Sequence, residues 1–407
     1  MKKRRKLKKK PIIILALILL SLILLIISCS RKKEETKPER EKQISFLTSF
    51  VNNTNEFLDE KIKNKIIDFF DIYYLSIKEL NEYDMTYLFS NKNESYINQS
   101  AMHFLINYRL LQRNDLKLNK CSYSLNINKI LINEDEITVY AYEDSIFNFN
   151  FMKNIDSYTY NVENIFTFKK NSNDYDLIKY NKNADFYNLI KSNINEKSSK
   201  ESILNISKEA ISLSASMVEN EKNYYNNSNN KPSKKCSHNY DRDKAYQYAI
   251  TWITKRNPDY ANFDAYGGNC QNYASQVIRN GGIPNDLSGY YLFKYYSSIP
   301  DETTSNIGRT PSWAGVSQFY DYAKYNSGSG LCSLTDINYL YGEKGDLIQF
   351  GYKESWAHTS VIIGDVSKDG KLLDLITSSN TTDRLNFPLS AYNYPNKRLI
   401  KIYGWND

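Results

Sequence analysis

The stretch Tyr266-Gly267-Gly268-Asn269-Cys270-Gln271-Asn272-Tyr273-Ala274-Ser275-Gln276-Val277-Ile278-Arg279-Asn280-Gly281-Gly282 decides how the C-terminal part of this chain is read. Two glycines relax the backbone, Asn269 is a good N-cap residue, and Gly281-Gly282 is a natural stop. Between them Tyr273, Ala274, Val277 and Ile278 recur at helical spacing, so a buried helix should open at Cys270. Unpaired amides and the helix dipole at a first turn favour a thiolate over a thiol. A thiolate is the attacking form in covalent catalysis. The same residues also fit a small helix-start cysteine with no chemistry.

Downstream, Gly345-Asp346-Leu347-Ile348-Gln349-Phe350 reads as a strand leaving a turn, and Ser355-Trp356-Ala357-His358-Thr359-Ser360-Val361-Ile362-Ile363-Gly364 as a second strand. A histidine fixed near the start of that strand can approach a helix-borne cysteine across a sheet and serve as general base or acid. Of the three histidines, His238 lies at the segment's edge and His103 far upstream, which leaves His358 as the candidate. A third strand, Leu372–Thr377, runs into Ser378-Ser379-Asn380. The amide oxygen of Asn380 could orient the imidazole, with Asp374 and Asp383 as fallback orienters; a turn asparagine without catalytic duty is the plain alternative.

Residues 240–404 resemble the "putative amidase domain" family of Gram-positive bacteria, a relative of the NlpC/P60 and papain-like cysteine hydrolases. GGNCQNYASQ, GDLIQF, WAHTSVIIG and the closing RLIKIY strand match that family's motifs in order and spacing. Asn269 stands where the family has Asp, Gln271 where it has Thr, and Ser379-Asn380-Thr381 where a His-containing turn is common. The resemblance implies a papain-like, NlpC/P60-like α+β domain in which a helix-borne Cys270 faces an antiparallel sheet carrying His358. It also implies amide hydrolysis, with Asn380 as orienter and Asn269 as an oxyanion support.

The N-terminus is plain in a different way. MKKRRKLKKK is followed by the apolar run PIIILALILLSLILLIIS and then Cys29. Basic, apolar and small residues in that order make an export segment, and the run is long enough to span a bilayer core. Ile26-Ile27-Ser28-Cys29 resembles a bacterial lipobox with Cys29 as the lipidated residue; an uncleaved transmembrane anchor is the alternative. Either way the basic start keeps the rest outside, on the extracytoplasmic face of the cell membrane.

The chain is 407 residues long with a net charge of +7. That charge is concentrated in the first ten residues, and without them the chain is close to neutral, so a nucleic-acid surface is excluded. The order read along the chain is a signal or anchor at 1–29, a charged tether at 30–42, an accessory domain at 43–195, a helix and linker at 196–235, and the amidase-like domain at 236–407. In the accessory domain helical periodicity over Ile44–Leu80 and 96–113 gives way to alternating segments near 123–132, 136–142, 158–168 and 175–179. Helices before a small antiparallel sheet make an α+β module, for which an NTF2-like arrangement is one option. His103 and Cys121 read as packed core residues. Ile203, Ile206, Ala210, Leu213 and Met217 form a short stripe for packing on a neighbour. The scattered cysteines Cys121, Cys236, Cys270 and Cys332 do not read as a disulfide framework or a zinc site, and no metal or cofactor is expected.

The expected activity is that of a membrane-anchored extracytoplasmic cysteine amidase or peptidase acting on a peptide or amide substrate, with cell-wall peptidoglycan as a candidate. The competing expectation is a catalytically inactive amidase-like envelope protein that binds or scaffolds. The sequence leaves the scissile bond and the oligomeric state open.

Overall fold

Polar caps and apolar spacing set the first helices of the computed structural model, which describes residues 45–182, 187, 191, 198–227, 231–295 and 309–407. Asp59 accepts the Lys61 N–H at 2.9 Å and opens α1 (Glu60–Glu79). Ile62, Ile66, Phe69, Phe70, Tyr74 and Ile77 return every three or four residues and are all buried. Asn91 opens α2 (Lys92–Gln112) in the same way, accepting from the N–H groups of Asn93 and Glu94. The helix expected from Ile44 begins only at Glu60. Before it, Leu47–Asn52 form strand β1, parallel to β2 (Leu118–Asn133), because an open edge of β2 takes up their backbone groups.

The chain is mixed α+β with a large, mostly antiparallel sheet. Strands β3 (Glu136–Phe149), β4 (Ser157–Asn171) and β5 (Asp174–Lys182) follow β2 as a meander. The later strands are β6 (His238–Asn239), β7 (Gly330–Leu334), β8 (Leu347–Tyr352), β9 (Ser355–Lys368), β10 (Lys371–Ser379), β11 (Asp383–Pro388) and β12 (Asn396–Asn406). Among the described residues the hydrogen-bonded order is β1-β2-β3-β4-β11-β10-β9-β8-β12-β6, with β5 on β4 and β7 on β12. Strand β4 divides its edge: Tyr158–Tyr160 pair with β11, whereas Asn164–Asn171 pair with β5. The segments read as accessory and amidase-like therefore share one sheet, and Phe46–Asp407 form one compact unit.

Helix α3 (Lys200–Asn227) packs on α2 through Ile203, Ser207, Ala210, Ser214 and Val218, all buried. Leu213 and Met217, expected in the packing stripe, face solvent instead, because small serines permit a close approach along a neighbouring line. His103 is not a core residue. Its Nδ1 lies 2.8 Å from Glu82 Oε2 with a quarter of the side chain exposed. Cys121 is partly buried, and burial pushes its thiol up to about 12.

One pair of the scattered cysteines is joined. Cys236 and Cys332, 96 residues apart, form a disulfide, since antiparallel pairing of β6 and β7 with β12 brings their backbones to 6.0 Å. Among the described residues no helix is long and apolar enough to cross a membrane. The expected anchor at 1–29, with Cys29, and the tether at 30–42 lie outside the described residues.

Candidate active site

Helix α5 (Cys270–Asn280) begins where the glycine pair allows a sharp approach. Gly267 and Gly268 have φ of 98° and 112°, in the region that favours glycine. A side chain at Gly268 would meet Thr381 Oγ1 at 3.0 Å. That close approach matters, because Thr381 Oγ1 accepts the Asn269 N–H at 2.6 Å and ties the helix start to the end of β10.

Asn269 is buried but does not cap the helix. Its side-chain oxygen accepts from Phe263 N at 3.2 Å and from Asn272 Nδ2 at 2.8 Å, so it organises the preceding turn instead. Its amide nitrogen donates to Asn380 Oδ1 at 3.1 Å. Asn380, also buried, donates onward to the carbonyl of Ile253 at 3.0 Å and that of Trp252 at 3.4 Å. The two asparagines are thus brought together as a brace between α5, β10 and the end of α4 (Arg242–Thr251). The Asn380 side-chain oxygen, the atom expected to orient the imidazole, thus accepts from Asn269.

The Cys270 sulfur sits at the first turn of α5 in a buried position. Burial pushes its thiol up, against the backbone N–H groups of Thr359, Gln271 and Cys270 itself, which favour the thiolate; Asp264 adds to the rise. The helix-start effect expected from the sequence is present, but desolvation outweighs it.

His358 is buried on the other side of the sheet. Thr359 Oγ1 donates to Gln271 Oε1 of α5 at 2.8 Å, so alternation along β9 sends the neighbouring His358 away from α5. There its ring lies 5.9 Å from Phe350 and 6.2 Å from both Tyr392 and Tyr394, with Ser360 Oγ 3.4 Å from Nε2. Tyr392, from the same cluster, shares its hydroxyl with Ser360 and Thr377 on that face. Along β9 the Thr359 side chain thus meets Gln271 of α5, and the His358 ring sits among Phe350, Tyr392 and Tyr394.

The cause is local. Gln349 pairs with Thr359 and Phe350 with His358, but Gly351 pairs with Trp356, which leaves Ala357 as an extra residue. A bulge of this kind inverts which residues face which side. Before it Trp356 shares the α5 face; after it Thr359 does.

That face carries a polar chain absent from the sequence reading. Gln271 Oε1 also accepts from Gln349 Nε2 at 3.2 Å, and Gln349 Oε1 accepts from Arg398 Nε at 2.9 Å. The Arg398 guanidinium lies between the rings of Tyr320, at 3.5 Å, and Trp356, at 3.9 Å, from the two centroids. Burial lowers it to about 10. A glutamine inside the otherwise apolar strand GDLIQF was the available signal for this chain.

The fallback orienters are engaged elsewhere. Asp383 receives both terminal nitrogens of Arg256 at 3.0 Å, and Asp374 accepts from Ser390 and lies 3.7 Å from Arg113. Asp346 of the GD motif is a fully buried hub that accepts from Arg242 Nη1, Ile402 N and Glu343 N, all at 2.9 Å. Among the described residues no cluster of His, Cys, Asp and Glu has the arrangement of a metal site.

Residues 239–403 match the family model described as "Putative amidase domain". The match to this amidase family points to a hydrolase acting on amides. The chain is also similar to "Uncharacterized protein YhbB" of Bacillus subtilis (strain 168), 28% identical over 155 residues. That alignment covers 36% of this chain and 44% of the relative, so the chain spans less than half of the length of the protein it matches. No solved structure matches the chain.

Proposed function

We propose that the amidase-like segment hydrolyses an amide bond with the Cys270 sulfur as nucleophile. The observation that carries this reading is the position of that sulfur: buried at the first turn of α5, where neighbouring backbone N–H groups favour the thiolate, inside the family-matched residues. The sulfur adds to the carbonyl carbon, the C–N bond breaks, and the amine leaves with a proton. Water then cleaves the thioester to the free acid and restores the thiol. The same N–H groups suit the negative charge that collects first on sulfur and then on the carbonyl oxygen.

His358 enters this scheme by a shift of the β9 bulge. Moving the extra residue C-terminally past His358 would turn the imidazole onto the face that Trp356 now shares with Gln349 and Arg398. The export segment argues for an extracytoplasmic, membrane-anchored enzyme, and a peptide of the cell wall is the substrate class that location favours.

A second reading has a specific observation behind it. With His358 on the far face and the thiol raised, the segment would keep the amidase scaffold and act in binding. Two measurements on the full-length protein separate the readings. Amine release from cell-wall peptides, lost in Cys270→Ala, supports hydrolysis; no release, or release that survives Cys270→Ala, overturns the cysteine mechanism. Oxidation of the His358→Cys variant tests the bulge shift: a cross-link to Cys270 requires both side chains on one face, and its absence leaves His358 a packing residue.

A further inference from the structure

A second bracket closes on the start of α5. Arg256, in the segment between α4 and α5, spans two carboxylates. Its Nε donates to Asp264 Oδ2 at 2.8 Å and its Nη2 to Asp264 Oδ1 at 3.1 Å; Nη1 and Nη2 also reach the two oxygens of Asp383, both at 3.0 Å. Two paired contacts on one guanidinium fix its plane and both partners, a geometry that a lysine ammonium cannot supply.

Each carboxylate stands at one edge of the structure that sets Cys270. Asp264 opens the 3₁₀ turn Asp264–Tyr266, which runs directly into Gly267 and Gly268. Asp383 begins β11 immediately after Thr381 and Thr382. Both threonines have positive φ, 60° and 54°, where β-branched residues are rare. Strain of this kind persists only where its surroundings over-determine it. Here Arg256 holds Asp383, Asp383 accepts the Thr381 N–H, and Thr381 Oγ1 accepts the Asn269 N–H.

Charge follows the same route. Asp264 is the carboxylate that disfavours the Cys270 thiolate, and Arg256 is its counter-ion. Of the other groups around the helix start, Asp383 comes from β11, His358 from β9, and Arg309 lies over the Phe263 ring at 4.7 Å. Tyr248 of α4 and Tyr273 of α5 are neutral, burial pushing both hydroxyls far up. We propose that Arg256 is a positioning residue for the hydrolysis: its guanidinium clamps the turns on both sides of Asn269 and Cys270 and keeps the Asp264 charge from opposing the sulfur. This role rests on Cys270 as the nucleophile proposed above, and the thiol can be followed without turnover.

Iodoacetamide alkylation of the full-length protein in detergent, with the label at Cys270 followed by peptide mass spectrometry, gives the pH midpoint of thiol ionisation. Arg256→Met should raise that midpoint by about half a pH unit, the scale of one partly screened unit charge, and Asp264→Asn should lower it by a similar amount. The double variant should fall below Arg256→Met, because the charge that Arg256 offsets is then gone; a purely structural clamp predicts no such return. If Arg256→Met does not fold, Asp264→Asn decides alone, since Arg256 keeps Asp383 in that variant. Unmoved midpoints in the single variants, a double variant as high as Arg256→Met, or a sulfur unlabelled at every pH overturns the proposal. Cell-wall peptides left uncleaved while the midpoints shift as expected would overturn hydrolysis and leave the control of the thiol standing.

Discussion

Removing the Cys236–Cys332 link by the double substitution Cys236→Ser and Cys332→Ser should destabilise the whole Phe46–Asp407 unit. The magnitude follows from the loop that the bond closes. Its 96-residue separation corresponds to a loss of unfolded-state entropy of about 16 cal/mol/K, or about 4.7 kcal/mol at 25 °C. A body of roughly 360 residues unfolds with an entropy near 0.76 kcal/mol/K at its midpoint, so this should lower Tm by about 6 °C. The two ends are not otherwise loose: Lys234 Nζ holds the Ser333 carbonyl at 2.8 Å, and β6 and β7 remain paired with β12. The native fold should therefore survive, with the loss appearing through the unfolded chain. Scanning calorimetry of the oxidised protein, the reduced protein and the double-serine variant provides the check. Reduced and variant forms should unfold at the same lower temperature. A midpoint within about 1 °C of the oxidised protein would refute the reasoning, because the bond would then constrain nothing that the sheet does not already hold. A persistent link also requires an oxidising compartment, in keeping with the extracytoplasmic location proposed above.

Three further outcomes are expected. Burial lowers Lys397 to about 7, so a penalty is fully present below pH 7 and fades as pH rises toward the ordinary lysine value near 10.4. Lys397→Met should accordingly stabilise the protein by a few kcal/mol at pH 6 and by less at pH 9, even after losing the 2.6 Å bond to Tyr108 Oη, as read from Tm against pH. Gly268→Ala should cost about 1–3 kcal/mol and slow alkylation of Cys270, because a positive φ and the 3.0 Å approach to Thr381 both resist a side chain; unchanged Tm and labelling would count against that strain. Asn380→Ala should lower stability by about 1–3 kcal/mol in chemical denaturation, since it strands Asn269 Nδ2 and the Ile253 carbonyl in a buried site; loss of activity without loss of stability would return Asn380 to a catalytic role.

What the sequence carried well is local. Apolar residues at three and four spacing produced α1 and α2, and alternation produced β2 to β5, because each pattern serves one face of one element. The start of α5 at Cys270 was legible for the same reason, down to the glycines before it. What failed required knowledge of partners. Leu47–Asn52 read as helix until the edge of β2 is known, and Cys236 and Cys332 read as unrelated until β12 gathers the strands around them. The join of β4 to β11 has no periodic signature in either strand, since pairing partners so distant along the chain leave no mark on local spacing.

His358 shows most sharply where pattern reasoning ends. Spacing along Trp356-Ala357-His358-Thr359 is compatible with either face, because one extra residue in a strand reverses every side chain beyond it. The motif places a histidine strand after the cysteine helix in sequence order, whereas the bulge at Ala357 decides which face of β9 the histidine takes. Thr359, engaged with Gln271 at 2.8 Å, now occupies the α5 face that a general base would need. Its hydroxyl bond is worth about 1 kcal/mol net, and burying the imidazole among Phe350, Tyr392 and Tyr394 adds aromatic packing on the other face. Turning His358 over must overcome both terms.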